Sequence, residues 1–238
     1  MPRRMRVVVP DLPHHVTHRG NRRKETFREP EDYEVYLRLL RKYALRYGLR
    51  IWAYTLMPNH THLVVVPSKQ ESLSDAIQCV DSTYAMLFNA LYETSGHLWE
   101  GRFFSCVLDE MHLWNAIRYV ERNPLRGGLI SRAEDYRWSS AAAHCGQRSD
   151  PILSNDLPLT QCVENWTAWL AMTNTEDHDR KLRERTESGY PCGSDEFVIG
   201  LEQQLGRRIR RLSGGRKPAK EGEEPCGATT VDQLKFRN

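Results

Sequence analysis

The chain lacks the features that would tie it to a structural metal, a disulfide framework or a bilayer. Its six cysteines (Cys79, Cys106, Cys145, Cys162, Cys192 and Cys226) are scattered, with no Cys-x-x-Cys pair. That spacing argues against a zinc-cysteine site and fits reduced thiols in a cytosol. No apolar run approaches the roughly 20 residues needed to cross a membrane. The N-terminal stretch "MPRRMRVVVPDLPHH" has a basic start but only three consecutive valines before a proline, too few for a signal-peptide core. No internal repeat is visible. A soluble cytoplasmic protein with no membrane partner is expected, and 238 residues suffice for one full domain plus a small second unit.

Charge is present but unevenly spread. The net charge is only +3, yet residues 1 to 50 carry 13 Lys/Arg against 6 Asp/Glu, and "GRRIRRLSGGRKPAK" (206–220) carries seven basic residues and no acid. Two basic zones around a near-neutral middle suggest a polyanionic partner, although solvated surface charge explains the composition equally well.

Periodicity and turn signals order the chain. "HHVTHRGNRR" (14–23) is a β-prone run ending in a Gly-Asn turn. "EPEDYEVYLRLLRKYALRYG" has Pro30 in its first turn, acids early, bases late and a stop at Gly48, which predicts a helix. "LRIWAYTLM" (49–57) and "HTHLVVV" (60–66) read as strands of a hairpin broken at Pro58-Asn59. A second helix is expected over 72–92, a fourth strand over 101–110 and a helix over 112–123, closed by Pro124 and Gly127/Gly128. The order β-α-β-β-α-β-α implies an α+β, ferredoxin-like (RRM-like) antiparallel sheet with one appended helix. Beyond residue 145 the signal weakens. Helices are predicted over 163–172 and 193–211, the latter with Ser194 as N-cap, and the Gly/Pro/Glu/Lys-rich stretch from 213 is expected to be disordered. The expected organisation is a domain over 1–145, a helical extension over 146–212 and a basic, polar tail over 213–238.

The stretch "YTLMPNHTHLVVVPS" carries the chemistry. Side chains at i and i+2 of a strand share a face, so His60 and His62 point one way while Thr61 and Leu63 point the other. Two such imidazoles can hold a divalent metal, but an isolated His-x-His is more often two ordinary histidines. A third ligand and a reacting group are needed. On the 112–123 helix, about 100° per residue puts Leu113, Ile117 and Val120 on the core stripe. Tyr119 lies on another stripe with His112, Asn115 and Asn123, and could reach a site on an adjacent element. Tyr84 falls at core-like spacing with Val80, Leu87 and Phe88; Tyr92 ends its helix, and Tyr136 lies in a segment without a metal partner.

In order and spacing, "HHVTHRGNRR", "YTLMPNHTHLVV", "GRFFS", "RYVERNPLRGGLI" and "YRWSSAAAH" resemble the single-tyrosine transposases of the histidine-hydrophobe-histidine superfamily, most of all the REP-associated tyrosine transposases. The resemblance covers about residues 10 to 145 and implies the ferredoxin-like sheet reached above. It also implies roles. His60 and His62 would hold Mg²⁺ or Mn²⁺ at the scissile phosphate of single-stranded DNA, and Tyr119 would be the nucleophile, leaving a 5′-phosphotyrosine and a free 3′-OH that a second 3′-OH can reverse. Related insertion-sequence enzymes carry a glutamine four residues after the tyrosine as third ligand. Here that position is Asn123, one methylene shorter, which can act as an oxygen ligand or simply end the helix. Thr61 stands where the pattern has a large hydrophobe.

For DNA contacts the candidates are Arg19, Arg22, Arg23 and Lys24 after the first strand, Arg118 and Arg122 beside the tyrosine, Arg102 with Phe103 or Phe104, and Arg207, Arg208, Arg210 and Arg211 near the tail. The resemblance implies imperfect DNA hairpins as substrate, a bacterial, nucleoid-associated location, and a monomer with a self-contained site, a dimer being the alternative. Three other readings stay open: a hairpin-binding module of the same fold that no longer cleaves; a water-activating metallohydrolase, whose His-x-His-x-Asp-His pattern is interrupted by Val64 and Val65; and an RNA-recognition-type binder, which would need exposed aromatics on the central strands.

Overall fold

Local chemistry sets most element boundaries in the computed structural model, which describes residues 5–158, 163–172 and 175–210. Strand β1 (His14–Arg19) is followed by helix α1 (Pro30–Tyr47). Pro30 stands in the first turn of α1, where its missing N–H costs nothing, and Glu29 and Asp32 form a reciprocal capping box. Gly48 ends α1 in the left-handed region (φ 65°), donating its N–H to the Ala44 carbonyl. Strands β2 (Leu49–Met57) and β3 (His60–Pro67) follow, joined at Pro58 and Asn59, and then α2 (Ser72–Leu91) and β4 (Phe104–Val107). Helix α3 (Glu110–Glu121) starts where the Asp109 carboxylate accepts the His112 N–H.

The sheet order is β2-β3-β1-β4 with every neighbouring pair antiparallel, as the β-α-β-β-α-β pattern requires of a ferredoxin-like fold. Helices α1 and α2 cover one face, where Val16, Ile51, Tyr54, Leu63 and Val65 meet Tyr36, Leu40, Ile77, Val80 and Tyr84. On the other face Ala53, Val64, Val66 and Cys106 meet Leu113, Ile117 and Val120 of α3. A register shift between Ile51 and Ala53 sends both Trp52 and Ala53 to the α3 side, while Ile51 and Tyr54 stay on the opposite side.

The C-terminal region departs most from the sequence reading. Strand β4 covers only four of the ten residues expected, because Gly101 turns with φ 69° and Asp109 already caps α3. The predicted 163–172 helix is α6 (Trp166–Ala171), delayed to the Asn165 cap, and the predicted 193–211 helix is α8 (Asp195–Leu205), capped by Ser194 as expected and stopped by Gly206. Two short helices, α4 (Asn123–Arg126) and α5 (Ala141–His144), precede them. Helix α7 (Glu176–Ser188) was not anticipated: "EDHDRKLRERTES" has a single large apolar residue, Leu182, so no apolar stripe announces it. It packs on the α3 side, where Leu157, Trp166, Leu182 and Cys192 join the cluster around α3, and Leu108 makes a parallel bridge with Cys192 along the β4 edge. The expected tail (213–238) and Arg211 lie outside the described residues. Among the described residues no helix is long and apolar enough to cross a membrane.

Candidate active site

Strand parity decides which way the two histidines face. Leu63 and Val65 belong to the α1/α2 side, and Thr61 shares their parity; His60 and His62 share the parity of Val64 and Val66 and face α3. In the ladder His60 stands opposite Arg19 of β1, and His62 opposite Thr17 of β1 and Thr55 of β2. The two imidazole centroids are 4.9 Å apart.

From α3, Tyr119 meets His62 edge to face at 5.5 Å between centroids. The helical spacing had put Tyr119 off the core stripe, but its side chain is buried in the α3 cluster. The spacing argument counts only the sheet as core; here the Arg126 guanidinium, brought round by α4, also covers the ring at 4.9 Å. Asn123 opens α4 rather than extending α3. It is buried and its Nδ2 donates to the Tyr119 carbonyl at 3.4 Å, which leaves its Oδ1 with no hydrogen bond among the described residues.

The electrostatics favour neutral imidazoles. Burial pulls His60 down to about 4, with the Arg19 cation adding to it. Burial also holds His62 well below the ordinary histidine value, the neighbouring His60 and His15 contributing. His60 uses Nδ1 on the Asn59 Oδ1 (2.6 Å), and His62 uses Nδ1 on His15 Nε2 (3.1 Å). Each Nε2 is therefore unengaged among the described residues. Two imidazole nitrogens and one amide oxygen are a donor set suited to a hard or borderline divalent cation. No group of three His, Cys, Asp or Glu side chains gathers for a metal among the described residues, so a cation bound here would draw its further ligands from Asn123, substrate or water.

The other candidates separate into three sets. Arg19, Arg22, Arg23 and Lys24 are exposed beside His60, and Arg22 and Arg23 both occupy the left-handed backbone region (φ 55° and 60°), a local strain of about 1–3 kcal/mol each. Arg102, Arg207, Arg208 and Arg210 line a cavity of about 550 Å³ outside β4, together with Arg6. Within it Arg210 is already paired with Glu202 and Arg207 donates to the Arg6 carbonyl, while Arg208 and Arg102 are exposed. The remaining two are engaged internally. Arg122 is buried and donates to the Leu170 carbonyl, and Arg118 lies 4.9 Å over the Trp169 ring. Of the neighbouring phenylalanines Phe103 is the buried one, and Phe104 is half-buried. The rival tyrosines are all structural: Tyr84 donates to the Thr26 carbonyl, Tyr92 to Asp32 and Tyr136 to the Leu56 carbonyl.

Three site residues escaped the sequence reading: His15, Thr186 and Arg126. His15 was within reach, since Val16 is a core residue and alternation then puts His15 on the face opposite it. The sequence does not say that β1 lies beside β3. Thr186, whose hydroxyl lies 2.8 Å from His15 Nδ1, comes from the unanticipated α7, and Arg126 stands within "RYVERNPLRGGLI" with no role assigned to it.

A family model described as "Transposase IS200 like" matches residues 8–123. No curated protein matches the sequence. Among solved structures, a REP-associated tyrosine transposase bound to a REP hairpin is similar over 66% of this chain and 99% of its own, at 14% identity and a TM-score of 0.53. A transposase-like protein from Deinococcus radiodurans R1 covers 51% of this chain and 97% of its own, at 20% identity and a TM-score of 0.37.

Proposed function

We propose, from the match of residues 8–123 to the IS200-like transposase family, that the chain cleaves and rejoins single-stranded DNA at hairpin sequences of the REP kind through Tyr119. The observation that carries this reading is the meeting of Tyr119 from α3 with His62, and of His62 with His60, on the α3 face of the sheet. A single chain supplies the tyrosine and both histidines, which supports a monomer as the acting unit.

In the proposed reaction the Tyr119 hydroxyl attacks the phosphorus of a DNA phosphodiester. The Oη–P bond forms and the P–O3′ bond breaks. The phenol proton leaves to solvent and the departing 3′-oxygen takes one up, giving a 5′-phosphotyrosine and a free 3′-OH. Because the covalent link conserves the phosphodiester, a second 3′-OH can attack it and restore the phenol without ATP. Held by His60, His62 and Asn123, Mg²⁺ or Mn²⁺ would supply charge neutralisation and polarisation at the phosphate. The chain's own residues orient the reaction. His15 and His62 fix the edge of the Tyr119 ring, Arg126 covers its face, and Arg19, exposed and opposite His60, is a guanidinium within the site's own field for a DNA phosphate. Arg22, Arg23 and Lys24 extend that cationic surface. Arg102 and Arg208 offer a second one beyond β4, on which the remainder of a hairpin would lie.

The test uses end-labelled single-stranded hairpins with Mg²⁺ or Mn²⁺ and denaturing gels that report a covalent protein–DNA adduct. Wild type should give an adduct, and Tyr119→Phe and the double variant His60→Ala/His62→Ala should give none. Tight hairpin binding with no adduct under either metal would make the protein a binding module. Cleavage that survives Tyr119→Phe would point to an activated water instead.

A further inference from the structure

A buried chain of hydrogen bonds runs through His15 into the candidate site from Thr186 of helix α7, a residue outside the family match and without a part in the proposed reaction. The Thr186 hydroxyl donates to the Leu182 carbonyl one turn earlier in α7, at 2.7 Å. The same oxygen lies 2.8 Å from His15 Nδ1 and 3.2 Å from Cys106 Sγ. His15 Nε2 then lies 3.1 Å from His62 Nδ1, with the two rings within 10° of parallel. Thr186 and His15 are 1% exposed and His62 6%, so water does not compete for these atoms.

The direction of the chain follows from donor bookkeeping. Thr186 has one proton, committed to Leu182, so its oxygen can only accept from His15. His15 must then carry its proton on Nδ1. Fully buried with no acid in contact, a neutral imidazole keeps one proton, so His15 Nε2 is a lone pair and accepts from His62. His62 in turn holds its proton on Nδ1 and turns a lone pair out from Nε2 toward the α3 face. A parallel device serves His60. Asn59 donates its Nδ2 to the Arg23 carbonyl at 3.2 Å, which turns its Oδ1 to His60 Nδ1 at 2.6 Å and leaves the His60 Nε2 as the lone pair.

We infer that Thr186, acting through His15, is a positioning residue that locks His62 in the tautomer with its proton on Nδ1, so that Nε2 is ready to ligate a divalent cation. Helix α7 lies beyond the residues matched by the family model, and it thereby becomes part of the site rather than an appendage. The inference rests on the reading of His62 as a ligand, but its central claim concerns the protein alone. Without the Thr186 acceptor, His15 is free to carry its proton on Nε2. That would reverse the bond, push the His62 proton to its own Nε2 and occupy the ligating lone pair.

The experiment is long-range ¹H–¹⁵N correlation of the histidine rings in the metal-free, DNA-free full chain, in wild type, Thr186→Val and Thr186→Ser. The expected result is a pyrrole-type Nδ1 and pyridine-type Nε2 for His62 in wild type and Thr186→Ser, and a shift toward the other tautomer in the near-isosteric Thr186→Val. Titration of the same proteins with Mn²⁺, followed by electron paramagnetic resonance, should show affinity about 10-fold or more weaker in Thr186→Val and unchanged in Thr186→Ser. A protonated Nε2 in wild type, or a His62 spectrum unmoved by Thr186→Val, would overturn the inference. So would equal Mn²⁺ affinity in wild type and Thr186→Val. Neither readout uses DNA or turnover, so failure of the proposed cleavage reaction would leave the tautomer result standing.

Discussion

Tyr119 combines burial with a free reactive atom: the residue is 4% exposed, yet its hydroxyl makes no hydrogen bond among the described residues. Removing that oxygen should therefore cost the fold little. Tyr119→Phe is expected to unfold within about 0.5 kcal/mol of wild type in a urea titration, while the covalent adduct disappears. A loss of several kcal/mol instead would mean that the hydroxyl holds the packing together and that the missing adduct is a folding defect. The contrast with Tyr84 and Tyr136 is physical, since each of these spends its hydroxyl on a backbone carbonyl. At this scale the sequence was most legible where alternation alone decides the direction of a side chain, as for His60 and His62. It was least legible for Arg122, whose place beside the tyrosine suggested phosphate contact although the folded chain turns it onto the Leu170 carbonyl.

At the scale of elements, the β2–β3 turn that delivers His60 is held by the segment that follows β1. Gly20 donates its N–H to the Asn59 carbonyl at 2.8 Å and bridges to Trp99, and Thr26 and Phe27 both donate to the Pro58 carbonyl. A Cβ at Gly20 would stand 2.3 Å from the Lys24 carbonyl oxygen and 3.3 Å from that of Asn59. Neither is a flexible side-chain tip, so backbone must move. Gly20→Ala is expected to destabilise by about 1–3 kcal/mol in chemical denaturation and to displace the His60 resonances, because the strain is released into the turn. An unperturbed His60 and an unchanged midpoint would refute this. Most of the elements themselves could be read from caps and periodicity: Pro30, Gly48, Ser194 and the Pro58-Asn59 break lie where the chain starts, stops or turns. Helix α7 could not, because its stability comes from docking Leu182 and Thr186 against the α3 cluster and β4, which a mostly charged sequence does not advertise.

For the whole molecule, the buried histidines make stability depend on acid. Burial depresses His14 to about 4, His15 to about 3 and His60 to about 4, and holds His62 well down. In the unfolded chain these groups titrate near 6.5, so at lower pH the unfolded state takes up protons that the folded state refuses. Their contribution is complete above pH 6.5 and is lost progressively as pH falls toward 4. His112 and His144 act in the opposite sense: the Asp109 carboxylate at 2.6 Å raises His112, and although burial alone would lower His144, the Glu121 carboxylate at 2.6 Å raises it, so their contributions are present below 6.5 and fade as pH rises through their folded values. Four depressed groups outweigh these two. Thermal melts should thus show a melting temperature that falls steeply between pH 6.5 and 4. A flat profile across that window would contradict the burial of these rings.

By itself the sequence determined the order of elements, the ferredoxin-like sheet and the shared direction of His60 and His62, because capping, turn chemistry and the two-residue period of a strand act over a few neighbouring residues. Tertiary structure alone decided that His15 lies against His62, that Arg126 covers Tyr119, and that a threonine more than a hundred residues beyond the histidine pair reaches it through His15. These depend on which strands pair and which helix docks on the sheet, and such contacts are fixed by packing across the whole chain rather than by any local pattern.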